Sequence, residues 1–145
     1  MCRLAYIRRP FDGMQEWLEQ LERSCGGDGN GVAVGNGLVK GVSLTVQQTV
    51  IEIERHAKRN HGWAHSLWHT RKTSSGGDCD QLCHPFACDN GWLAHNGHWH
   101  QMAMEAKKFR GNWSDTRMFS LLVDRTGFAD AITKYEPPGV WLHMR

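Results

Sequence analysis

Strand-like and helix-like segments follow one another in this chain without regular alternation, and that order constrains its fold more than any other feature. Cys2 to Ile7 reads as a short apolar strand, and Met14, Trp17, Leu18 and Leu21 then recur at helical spacing. The run Gly26-Gly27-Asp28-Gly29-Asn30-Gly31 stops that helix in a loop. Val32-Ala33-Val34 and Leu38-Val39, flanking Gly35-Asn36-Gly37, predict a hairpin. A second helix is expected over Thr45 to Arg59, with Val46, Val50, Ile51 and Ile53 as its apolar positions. Trp63 to Thr70 reads as a strand and Lys72 to Cys83 as a loop. Trp92 to Trp99 is a further strand candidate with a turn at Asn96-Gly97. Ser114-Asp115 has the form of an N-cap entering a helix through Leu121-Leu122-Val123, and Val140-Trp141-Leu142 after Pro137-Pro138 is strand-like. A doubly wound parallel sheet would need strict strand–helix alternation, so the fold class expected is α+β.

At 145 residues the chain is expected to form one domain spanning 1–145. Seventeen basic against fifteen acidic residues leave a formal charge of +2, too even to nominate nucleic acid or an anionic membrane as partner. No apolar run approaches the roughly 20 residues that span a bilayer, and Met1 to Tyr6 lacks the apolar core of a secretory signal. The expectation is a soluble, cytoplasmic protein. Five cysteines, an odd number, point to reduced thiols. The seven tryptophans (Trp17, Trp63, Trp68, Trp92, Trp99, Trp113, Trp141) read as core or pocket-wall aromatics. His56 and His61 read as solvated, and Arg55, Lys58 and Arg59 as an exposed helix face.

Three constellations could carry chemistry. If Met1 is removed, Cys2 becomes N-terminal and holds a thiol (pKa about 8.5) and an α-amine (about 7.7–8.0) on one residue, a nucleophile and its base together. A cysteine at position 2 is also a common incident. Arg71, at a strand end ahead of Ser74, Ser75, Gly76 and Gly77, could bind a carboxylate through its two-pronged guanidinium, or could mark a solvated strand-to-loop junction. In His95-Asn96-Gly97-His98, the Asn96 amide and Gly97 N–H could face a developing oxyanion, or form an ordinary Asn-Gly turn. From a different class, Cys79, Cys83 and Cys88, followed by His95, His98 and His100, are dense in zinc-ligand types and suggest a non-catalytic zinc-binding module.

Taken together, Cys2-Arg3-Leu4-Ala5-Tyr6, His69-Thr70-Arg71 with Ser74-Ser75-Gly76, His84-Pro85-Phe86 and His95-Asn96-Gly97 occur in the order seen in class II glutamine amidotransferases. The chain resembles the stand-alone type, a group that includes γ-glutamyl amide hydrolases, from Cys2 to about Val123. The resemblance implies an N-terminal nucleophile hydrolase, two sheets sandwiched between helices, acting as a glutaminase-type amide hydrolase. Cys2 would attack the amide of glutamine to form a γ-glutamyl thioester, and its α-amine would relay the proton to ammonia. Asn96 and Gly97 would form the oxyanion hole. Arg71, assisted by Ser74 and Ser75, would hold the substrate α-carboxylate, and Asp115 the α-amino group. No cofactor and no metal is implied.

The chain departs from that pattern in three places. Many members carry Thr and His where Ser74 and Ser75 stand. The 19-residue interval from Asn96 to Asp115 is short for the family, which makes Asp124 the alternative. The chain also ends at Arg145, earlier than the usual domain, so Val140 to His143 is expected to be a central strand. A shortened sandwich would leave a sheet face exposed, favouring low stability or a homo-oligomer. No synthase domain accompanies the motifs, which leaves a bare glutaminase, a separate acceptor or synthase partner protein, or another γ-glutamyl amide as substrate.

Overall fold

The computed structural model describes residues 2–59, 62–73, 78–88 and 90–145. They form an α+β fold of five α-helices and two antiparallel sheets. The first sheet has the order β1-β4-β2-β3, built from β1 (Arg3–Ile7), β2 (Asn30–Val34), β3 (Gly37–Gly41) and β4 (Ser66–Thr70). The second has the order β5-β6-β7, from β5 (Phe86–Cys88), β6 (Gly91–Asn96) and β7 (Val140–Met144). Helices α1 (Met14–Cys25) and α2 (Val46–Arg59) precede β2 and β4, and α3 (His100–Ala106), α4 (Asp115–Thr126) and α5 (Phe128–Tyr135) lie between β6 and β7.

Strand alternation decides which residues meet. On β1, Ala5 and Ile7 join Val32, Val34 and Trp68 in a cluster with Met14 and Leu18 of α1 and Val46, Val50 and Ile53 of α2. The opposite faces carry Leu4, Ala33 and Leu67, which pack on Trp92, Ala94, Leu142 and Met144 of the second sheet. Leu93 and Trp141, on the remaining face, pack against Phe119 and Val123 of α4 and Ala131 of α5. Each sheet therefore meets an apolar cluster on both faces, and the exposed large apolar residues lie on helices and loops, such as Ile51 and Phe109, as well as on strands, such as Tyr6 (52% exposed) and Val140 (56%).

The expected strands and helices from Cys2 to Thr70 appear with their ends shifted by a few residues. Helix α2 is closed by a reciprocal cap: Gln48 N donates to Thr45 Oγ1 at 3.2 Å and Thr45 N to Gln48 Oε1 at 2.9 Å. Ser114 caps α4 as expected, its Oγ accepting from Arg117 N at 3.2 Å. Three elements carry no readable sequence signal. Strand β5 and helix α3 span 3 and 7 residues, too short to show a period. Helix α5 follows α4 after one residue, Gly127, whose φ of 82° breaks the helical run.

Four expectations need correction. Asn96-Gly97 is no hairpin turn: β6 ends at Asn96 and the chain bends into α3, so the strand does not reach Trp99. Val140–Met144 forms an edge of its sheet, paired with β6 on one side. Trp68 is buried, and Trp63, Trp92, Trp99 and Trp141 pack against the apolar clusters, but Trp17 is exposed, because α1 turns that position away from the sheet. His56 is half-buried against the hairpin: a Cβ on Gly37 would lie 2.4 Å from its Nε2. His61 lies outside the described residues. None of the five cysteines is in a disulfide, and among the described residues no helix is long and apolar enough to cross a membrane.

Candidate functional site

Strand β1 begins where β4 ends, so Cys2 lies one step outside the Arg3–Thr70 pair, beside the chain leaving β4. Its thiol is buried there, with Lys72 N donating to Sγ at 3.2 Å and Sγ donating to Lys72 O at 3.3 Å. Burial pushes the thiol pKa up, and the Lys72 N–H and the Arg71 guanidinium pull against it. The balance is a raised pKa, so the neutral thiol dominates at neutral pH and the nucleophile needs a base.

Arg71 is held by the glycine-rich loop after α1. Its N–H donates to Gly29 O at 2.7 Å, and its carbonyl accepts from Asp28 N at 3.0 Å. The guanidinium is buried, with Nη1 3.3 Å from Asp78 Oδ1. Asp28 also takes Lys72 Nζ at 3.1 Å and Thr73 N at 2.8 Å, which fixes the chain on the far side of Arg71.

Asp115, the first residue of α4, is buried against the segment following β6. Its carboxylate accepts from Trp99 N at 2.8 Å and from Thr116 N at 2.8 Å, and His98 Nδ1 stands 3.9 Å away. These two backbone bonds, with Thr116 Oγ1 3.4 Å from Oδ1, fix the orientation of the carboxylate at the cavity. Gly97 lies at the bend after β6, where a Cβ would come 2.5 Å from His95 Nε2. Only glycine allows the bend to pack so closely on that ring.

Cys2, Arg71, Gly97 and Asp115 line one cavity, together with Lys72, His69, His84, His95, Leu82, Ser114 and Thr116. Its free volume is about 20 Å³, room for about one water. Asn96 is half-buried on the face of β6 that carries Ala94 and Trp92, and its side chain is not part of the lining. Asp124 lies further along α4, away from the cavity. Ser74 and Ser75 lie outside the described residues, as does Met1. Larger clefts, of about 360 to 400 Å³, open near Tyr6, His65 and Arg145 at the other end of β1 and β4. Of the residues singled out from the motifs, Tyr6 and Cys88 line them.

Three histidines form the cavity's polar wall. His69 (β4) and His84 have ring centroids 4.1 Å apart, and His95 (β6) donates its backbone N–H to His84 Nδ1 at 3.3 Å. That acceptor role places the His84 proton on Nε2. His95 Nε2 lies 3.0 Å from the Pro138 carbonyl, which can only accept, so His95 also carries its proton on Nε2 and its Nδ1 takes Thr116 Oγ1–H at 3.2 Å. His69 has both ring nitrogens buried with no hydrogen-bond partner among the described residues. Burial, then the Arg71 charge, drives its pKa down to about 3. Burial likewise holds His84 well below the usual histidine value and lowers His95 against the upward pull of Asp115. All three are neutral at physiological pH, and their lowered pKa values make them weak bases toward the Cys2 thiol.

Sequence reasoning passed over His69 and His84 as parts of motifs, and it missed the groups that seat them. A Cβ on Gly31 would lie 1.9 Å from His84 O. Lys40 Nζ donates to Cys83 O at 2.8 Å and Pro85 O at 3.3 Å, tying β3 to the segment that carries His84. Burial lowers the Lys40 pKa to about 8. Among the described residues, no three His, Cys, Asp or Glu side chains are placed to hold a metal ion. Cys83 is buried with its Sγ 3.9 Å from Cys79 O, while Cys88 ends β5. No family model matches the chain, and no curated protein matches it.

Proposed function

We propose that this chain is an N-terminal-cysteine amide hydrolase of the class II glutamine amidotransferase type, its two sheets and flanking helices forming an N-terminal nucleophile hydrolase sandwich. Its substrate is glutamine or another γ-glutamyl amide. One observation carries the reading: Cys2, Arg71 and Gly97, each next to the end of a strand, and Asp115, at the start of α4, line one cavity.

The proposed chemistry follows from those groups. Removal of Met1 frees the Cys2 α-amine, which takes the thiol proton that burial otherwise retains. Sγ adds to the γ-amide carbon, and the oxyanion is stabilised by Gly97 N–H; the Asn96 amide, outside the lining, would join it only by turning into the cavity. The α-amine passes its proton to the leaving ammonia, the C–N bond breaks and a γ-glutamyl thioester remains. Water then adds to the thioester, the C–S bond breaks, and glutamate leaves with Cys2 restored. Arg71 takes the α-carboxylate and Asp115 the α-ammonium, so one cation and one anion read the amino-acid end. The resulting ammonia serves a separate acceptor or is released.

The decisive experiment is glutamate release from glutamine by the chain, with loss of Met1 verified by mass and Cys2→Ala alongside. Cys2-dependent release is the expected result. Its absence in protein lacking Met1 would overturn the glutaminase reading.

A further inference from the structure

Arg71 Nη1 and the Thr73 hydroxyl converge on one oxygen, Asp78 Oδ1. The guanidinium side chain is 6% exposed and the Asp78 side chain 65%. A guanidinium and a hydroxyl closing on a carboxylate oxygen is the arrangement expected for a bound ligand carboxylate, and here the chain supplies that carboxylate itself. Asp78 belongs to the segment after Thr73 and contributes nothing to the cavity wall. With about 20 Å³ free beside Arg71, an amino acid cannot be added next to the existing contacts. Its carboxylate has to replace something.

We infer that Asp78 is an intramolecular competitor for the carboxylate-binding guanidinium of Arg71, a side-chain carboxylate that the carboxylate of an amino-acid ligand displaces. The inference rests on Arg71 as the carboxylate-binding residue of the proposed function. The permanent charge of Arg71, buried in the wall, is better paired than bare. Asp78, being mostly in water, provides a partner whose ion pair is weak enough to exchange. Asp78 thereby sets ligand affinity without touching the reacting amide.

The test is calorimetric titration of the Met1-free chain with L-glutamate and with glutarate, a dicarboxylate that lacks the amino group. Asp78→Asn removes the competing charge and is expected to tighten both ligands roughly two- to fivefold. Asp78→Glu should return affinity to that of the native chain, and Arg71→Ala should abolish binding in either background. Unchanged or weaker binding to Asp78→Asn overturns the inference. Weaker binding of glutamate alone would assign Asp78 to the ammonium group and overturns it equally. If neither compound binds the native chain or Asp78→Asn, Arg71 is not a carboxylate site and the inference falls with it. Cys2-dependent glutamate release with no gain of affinity in Asp78→Asn would reject only the competitor. A gain of affinity without glutamate release would reject only the chemistry.

Discussion

Cys2 combines a buried thiol of raised pKa with a position one residue from the chain start, and the two properties make one prediction. Because burial disfavours the thiolate, activity should depend on the adjacent α-amine more steeply than for an exposed thiol. Protein that retains Met1 should release glutamate about 10²- to 10⁴-fold more slowly, the usual value of a positioned base. Cys2→Ser, with its poorer nucleophile, should fall at least as far. Activity that survives Met1 retention would rule out the α-amine. Arg71→Ala should raise KM about 10- to 100-fold with a smaller change in kcat, as loss of a charge-assisted hydrogen bond implies. An effect confined to kcat would remove Arg71 from substrate binding. Both residues were legible in the sequence because each sits in a motif. Asp78 was not, since nothing in its neighbours marks it as the carboxylate that meets Arg71.

Helix α4 and strand β2 show how the elements carry the cavity wall. The Ser114 hydroxyl caps the first turn of the helix that presents Asp115 and Thr116, so Ser114→Ala should cost about 1 kcal/mol, read from urea unfolding midpoints. On β2, Gly31→Ala should be far more damaging, since its Cβ would press into the His84 carbonyl 1.9 Å away and push strand and segment apart. Loss of more than about 2 kcal/mol is expected, in the range of overpacked interiors. Wild-type stability in that variant would show that the two backbones are not in contact. The cap and the amphipathic runs of α1 and α2 could be read directly, because they arise between residues three or four apart. The role of Gly31 could not, since the atom it must avoid lies more than fifty residues along the chain.

At the scale of the molecule, the histidine wall joins the two sheets, with His69 on β4, His95 on β6 and His84 between them. Folding holds their pKa values below that of a free imidazole, near 6.5, with His69 at about 3. As pH falls below about 6.5 the unfolded chain takes up protons that the folded one refuses, so stability is full above that value and is lost on acidification. Each histidine adds a slope of up to about 1.4 kcal/mol per pH unit. Denaturant unfolding at pH 7.5 and pH 5.0 should show a drop at the lower pH, and His69→Gln should flatten it. Equal stability at the two values would mean that the histidines are solvated. By itself the sequence determined the mixed α+β character, the Ser114 cap and the hairpin, all of them local in the chain. Only the tertiary structure decided that Cys2, Arg71, Gly97 and Asp115 share a cavity that Asn96 does not line, and that Asp78 pairs with Arg71. Those facts follow from how two sheets stack and where the loop after α1 grips β4, which are contacts between residues far apart in sequence and leave no periodic trace in it.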